Sequence, residues 1–153
     1  MAQNSSMESL ENYFASYSDY HRTKGNKLTH YFGIPPIVFS TLGLLALVQF
    51  NDWLNLGLIV WLASIVFYCR LDWKMGIPFS ALTFAMYWFA RDIAWQAHVV
   101  LFVGGWILQL VGHQRYEKKS PAFLTNFSHL LIGPFWIFYR LNWWRKKMPE
   151  SPN

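Results

Sequence analysis

Between residues 34 and 112 the chain carries six formal charges, and they fall in three tight clusters: Asp52; Arg70, Asp72 and Lys74; Arg91 and Asp92. The runs between them, 34–50, 53–69, 75–90 and 93–112, carry none. A soluble helix repeats its charges along a wet face at helical spacing. Here every central charge sits in a break instead. The uncharged runs are 16 to 20 residues long, against the roughly 20 that an α-helix needs to cross a bilayer core. The pattern predicts an all-α fold, an integral membrane bundle of four transmembrane helices over those runs. The third run is short and is expected to use Trp73 at the interface. The alternative is a soluble bundle with unusually apolar helices, and the confinement of charge to the breaks argues against it. Composition agrees, with 14% charged residues where a soluble domain carries about 25%.

The 153 residues suit a single membrane domain, 1–153. The start, MAQNSSMESLENYF, lacks a basic segment followed by an apolar one, so no cleaved signal peptide is expected. The single cysteine, Cys69, falls inside an expected span and has no internal disulfide partner.

Four spans return the chain to the side on which it began. That side collects three Lys/Arg from residues 1–33, two from the 70–74 loop and seven from 113 onward, while the other side has only Arg91. Positive residues stay inside, so both termini are expected in the cytoplasm. The membrane would be the inner membrane of a bacterium or the endoplasmic reticulum of a eukaryote. The tail holds a further apolar stretch, 122–144, interrupted by Gly133-Pro134. It reads as an interfacial or re-entrant helical segment, with Trp143 and Trp144 at headgroup depth. Arg145, Lys146 and Lys147 would then face anionic membrane lipids. That cluster reads as an anchor, and no nucleic-acid partner is expected.

With this topology His21 and His30, before the first span, emerge on the same face as His113, after the last. His113 and Glu117 are four apart, which on an α-helix puts them on one face. His21 and His30 are nine apart, out of phase on one straight helix. The intervening TKGN reads as a break, with Gly25 and Asn26 in a turn, so that both rings can reach one centre. Asn26 is in turn four residues before His30. Neutral imidazoles suit Fe, Zn, Cu and Ni. His129 is on the same side, either as a further ligand on a segment folded back over the site or as a polar residue on an interfacial helix. His98 is the contrast: fifteen residues before His113, it lies about 22 Å away along a continuous helix. It reads as a buried histidine with a hydrogen-bond partner.

Two patterns carry a resemblance. His21-x4-Asn26-x3-His30-x2-Gly33-x-Pro35 and Gln109-x2-Gly112-His113-x3-Glu117-x3-Pro121-Ala122 resemble the two signatures of the Mpo1-like family, over roughly residues 8 to 140. The resemblance implies a membrane-bound Fe(II)-dependent dioxygenase that shortens 2-hydroxy fatty acids by one carbon in α-oxidation. It implies essential histidines at His21, His30 and His113. Dioxygen and a 2-hydroxy fatty acid would be the substrates. Glu117 would bind metal or fix a histidine's tautomer, and Asn26 would orient a ligand. Arg115, Lys118 and Lys119 would attract a carboxylate headgroup, with the acyl tail entering sideways from the lipid.

Two other readings differ in class. One is a non-enzymatic membrane protein whose histidines and Glu117 form a structural polar cluster. The other is a different metal-dependent lipid enzyme, such as a hydroxylase or desaturase. Those enzymes carry HxxH or HxxxH pairs, and this chain has neither spacing.

Overall fold

The computed structural model describes residues 2–118, 120–121 and 127–141. Among them are six α-helices and no strand. They are α1 (Ala2–Asp19), α2 (Lys24–Ala46), α3 (Leu56–Leu71), α4 (Trp73–Ala90), α5 (Trp95–Val111) and α6 (Ser128–Leu141). A π-helical segment, Gly112–Glu117, continues α5. Trp143, Trp144 and the basic residues 145–147 lie outside the described residues, as does Lys119.

The charge clusters coincide with helix ends for a physical reason. Asp72 separates α3 from α4, and its carboxylate accepts from the backbone N–H of Lys74 at 2.9 Å and of Met75 at 3.3 Å. Those N–H groups have no partner within the helix. Asn55 does the same for α3, accepting from Leu58 N–H at 2.9 Å while donating to the Tyr87 hydroxyl at 2.9 Å.

The boundaries depart from expectation at two places. The first apolar helix starts at Lys24, ten residues before the uncharged run, because Thr23 caps it: the Thr23 hydroxyl accepts from Asn26 N–H at 3.3 Å. It then runs unbroken through Pro35 and Pro36. Likewise Gly133-Pro134 does not interrupt the tail segment, and α6 is continuous across it. A proline there removes one backbone donor, while Gly133 lets α6 close onto the Tyr17 hydroxyl and Ile34.

By length and composition two helices can cross a membrane, α2 and the continuous Trp95–Glu117, each of 23 residues. The α3 helix is apolar but has 16 residues, and α4 has 18.

Glycines set the pairing of α2 with α5. A Cβ on Gly105 would stand 2.7 Å from the Gly33 carbonyl oxygen, and one on Gly33 would stand 2.9 Å from the Gly105 carbonyl oxygen. The two backbones therefore touch at this point. Farther along, Gly43 lies against the ring of His98. Going up α2 from 33 to 43 means going down α5 from 105 to 98, so the helices are antiparallel. The start of α2 thus lies beside the end of α5. His98 is at the far end, fully buried, and its Nε2–H donates to the Ala90 carbonyl at 2.9 Å.

The α1 helix has no counterpart among the expected spans. It buries Leu10, Phe14 and Tyr17, spaced at helical intervals on one face. These pack with Phe135 and Trp136 of α6 and with Tyr68, Met75 and Phe79 at the α3–α4 junction. Hydrogen bonds in this layer include Tyr68 hydroxyl to the Leu131 carbonyl at 2.8 Å and Trp136 Nε1–H to Ser18 Oγ at 3.1 Å. The described part of the tail is therefore docked on α1 by one buried face.

Candidate metal centre

The link Tyr20–Thr23 between α1 and α2 is the break that turns His21 toward His30. The expected turn at Gly25 and Asn26 is not there, since both residues belong to the first turn of α2. Gly25 serves close packing instead, lying against the ring of Tyr116. The chain reverses earlier, with His21 N–H bonded to the Ser18 carbonyl at 3.0 Å and the Thr23 cap opening the next helix.

His21, His30 and His113 are buried, and one ring nitrogen from each lies within 4.8 Å of the other two. The hydrogen bonds define the chemistry. His21 Nδ1–H donates to the Tyr17 carbonyl at 2.6 Å, and His30 Nδ1–H donates to the Asn26 carbonyl at 2.8 Å. Each Nδ1 therefore keeps its proton, and each Nε2 presents a lone pair. The two Nε2 atoms face each other at 3.0 Å. Two lone pairs cannot bond to one another, so this contact asks for a cation between them. Two nitrogens bound side by side at about 2.1 Å from one ion lie roughly 3 Å apart. His113 stands across from both, its ring centroid 4.9 Å from each and steeply inclined to each. Its Nδ1 is buried and has no hydrogen-bond partner. Three neutral nitrogen donors around one point fit a first-row transition metal.

Burial also disfavours charge on the His21 imidazole, and His30 beside it adds to this against the opposing bond to Tyr17. Together they take its pKa down to about 2. Tyr17 further stacks on His21, with centroids 4.0 Å apart and planes 11° from parallel.

His113 is delivered by the π-helical segment. Gly112 lies against Thr29 and Asn26 of α2, and Lys118, at φ 54°, closes the segment by donating its N–H to the His113 carbonyl. At the end of the segment Glu117 turns its carboxylate to the start of α2. Glu117 Oε1 accepts from Thr23 N–H at 2.8 Å, Thr23 Oγ1–H at 3.0 Å and Asn26 Nδ2–H at 3.2 Å. It therefore clamps the α2 cap, and reaches His30 through Asn26. The Asn26 side chain also donates to the Tyr20 carbonyl at 3.2 Å, while its own carbonyl holds His30. Thr23 and Tyr17 carry no motif of their own. The only sequence sign of Tyr17 is its place four residues before His21.

His129 is on the other wall. Its Nε2 lies 3.2 Å from Ser16 Oγ, and its ring sits among Tyr17 and Tyr20. It is not one of the three convergent nitrogens. Arg115 and Lys118 are exposed beside the segment.

A cleft of about 510 Å³, including its open mouth, runs from the histidines. On α2, His30 is followed by Ile34, Ile37 and Val38 along one stripe. On α5, His113 is preceded by Gln109 and Trp106. Leu130 and Pro134 of α6 close it. The three convergent imidazoles and His129 make one end polar, and the remainder is mostly apolar.

Fold and site together define a class: an all-α protein, apolar on its outside, with a buried three-histidine centre at the head of an apolar cleft. The chain belongs to the family described as 2-hydroxy-palmitic acid dioxygenase Mpo1-like, which it matches over residues 7–143. It is similar to the 2-hydroxy-palmitic acid dioxygenase MPO1 of Saccharomyces cerevisiae, with 29% identity over 135 residues covering 85% of this chain and 78% of the yeast protein. No solved structure matches it significantly.

Proposed function

We propose that this protein is an Fe(II)-dependent dioxygenase that shortens 2-hydroxy fatty acids by one carbon at a membrane face. The observation that carries the reading is the pair of Nε2 lone pairs held 3.0 Å apart, with His113 beside them, at the polar end of an otherwise apolar cleft. The reaction balances without an outside reductant. A 2-hydroxy acid and dioxygen give the next shorter acid, carbon dioxide and water.

His21, His30 and His113 would hold the ion. Bound there, Fe(II) would supply chelation of the substrate's carboxylate and hydroxyl and activation of dioxygen. The carbonyls of Tyr17 and Asn26 fix the tautomers of His21 and His30, so both present lone pairs inward. Glu117 and Thr23 hold Asn26 and with it His30. Tyr17 and Trp136 cover His21 and keep water from that side. Ile34, Ile37, Val38 and Trp106 line the path for the tail. Arg115 and Lys118 place positive charge near the carboxylate's approach.

The membrane setting is part of the proposal: one domain with four spans and both termini in the cytoplasm. It is supported by the Lys/Arg asymmetry and by exposed apolar side chains on the outer faces, such as Val100 at 71% and Phe89 at 68% exposure. Such residues on a bundle surface suit contact with lipid. A tail can then enter sideways without leaving the bilayer.

The test is oxygen uptake by anaerobically purified, iron-loaded protein. Addition of 2-hydroxypalmitate is expected to start uptake and yield the fifteen-carbon acid, while palmitate starts none. Tight zinc binding with no oxygen consumed would leave the site and remove the chemistry.

A further inference from the structure

Gln109 sits where the polar end of the cleft meets the apolar end. It lies one turn before His113, about 6 Å along the axis, and Trp106 follows it on the same stripe. Its side chain is 5% exposed, and its Nε2 is buried with no hydrogen-bond partner. A buried amide donor left unpaired is unfavourable. The fold makes room for it nonetheless. A Cβ on Gly33 would come within 2.6 Å of Nε2, so the glycine that lets α2 touch α5 also admits this amide.

We propose that Gln109 is the residue that recognises the 2-hydroxyl of the substrate, its Nε2–H donating to the hydroxyl oxygen. This rests on the function proposed above. With the carboxylate at the histidines and the tail along Trp106 and Ile37, the atoms beside Gln109 are those next to the headgroup. A 2-hydroxy acid brings an acceptor to the unpaired donor. An unsubstituted acid brings a methylene and leaves the donor bare. Sites built around a polar partner reject analogues that lack it far more strongly than apolar pockets reject an extra group. The other polar groups of the lining, Tyr17 and His129, sit beside His21, while Ile34, Ile37 and Trp106 around the tail are aliphatic or aromatic, so the amide is the polar group at the tail side of the histidines.

The experiment is equilibrium binding of 2-hydroxypalmitate and of palmitate to the full-length protein, purified without air and kept anaerobic so that nothing turns over. Wild type is expected to bind the hydroxy acid at least tenfold more tightly, one factor of about ten being the value of the buried hydrogen bond to Gln109. Gln109→Met conserves volume and should lower the ratio about tenfold by weakening the hydroxy acid alone. Gln109→Asn, which keeps a polar amide but shortens its reach, should do the same and serves if the Met variant does not fold. A preference undiminished in folded variants overturns the role of Gln109 and leaves the function standing. A wild type that binds neither acid, or both equally, overturns the substrate class and the role of Gln109 with it.

Discussion

His21 and His30 face each other through Nε2 at 3.0 Å while both Nδ1 atoms are committed to backbone carbonyls. Neither ring is free to rotate a proton into the gap, and burial opposes adding one. For His21 the folded-state pKa is lowered to about 2 from 6.5. In the metal-free protein the folded state therefore resists a proton that the unfolded state accepts. The stability from neutral His21 is complete above about pH 6.5 and declines as pH falls toward 2, by up to about 1.4 kcal/mol per pH unit. Melting curves of metal-free protein between pH 7.5 and 5 should fall with acid. His21→Gln should flatten that slope, and equal slopes would contradict the assignment.

Gly105 and Gly104 are neighbours with opposite surroundings. A Cβ on Gly105 meets Ile37 Cγ1 at 2.6 Å and the Gly33 carbonyl at 2.7 Å, whereas one on Gly104 meets nothing within 4 Å. Gly105→Ala should push α5 from α2, cost about 1–3 kcal/mol and lower metal occupancy by separating His113 from His30. Gly104→Ala should be neutral, or up to about 1 kcal/mol stabilising through helix propensity. Paired thermal melts with metal analysis check both. Equal effects would mean the helices do not pack through this contact.

Glu117 holds three donors of the α2 cap, and the described bonds of Oε1 go to Thr23 and Asn26. Glu117→Ala should weaken metal binding by about 10- to 100-fold, the usual loss for a supporting residue. Glu117→Gln keeps an acceptor oxygen and should retain most of the affinity. Comparable metal loss in both variants would make the carboxylate itself a ligand.

Much of this arrangement is legible in residue order. Charges confined to breaks mark the ends of four apolar helices, and Asp72 shows why, since a cap needs a polar side chain. That His21 and His30 meet His113 at one end follows from counting the four apolar helices that run from the first pair to the last. Other features are not legible. Gly25 and Asn26 suggest a turn, yet Gly25 answers to the Tyr116 ring and Asn26 to a capped helix start, and spacing cannot separate close packing from chain reversal. Nor does the i, i+4 spacing of His113 and Glu117 show that the carboxylate is taken up by Thr23 and Asn26, some ninety residues earlier. The docking of α1 depends on Leu10, Phe14 and Tyr17 finding α6, a long-range contact that local pattern does not specify. Gln109 gains meaning only from Gly33, seventy-six residues earlier, opening space beside it.

The three-histidine centre is tested most directly by iron stoichiometry after anaerobic reconstitution. Wild type and His98→Ala should each hold about one iron per chain, because His98 bonds Ala90 at the far end of α5. His21→Ala, His30→Ala and His113→Ala should each hold little or none while keeping helical content, since each removes one of the few donors that close the site. Iron retained at wild-type level in any one of those three, or absent from wild type, would contradict a three-histidine iron centre.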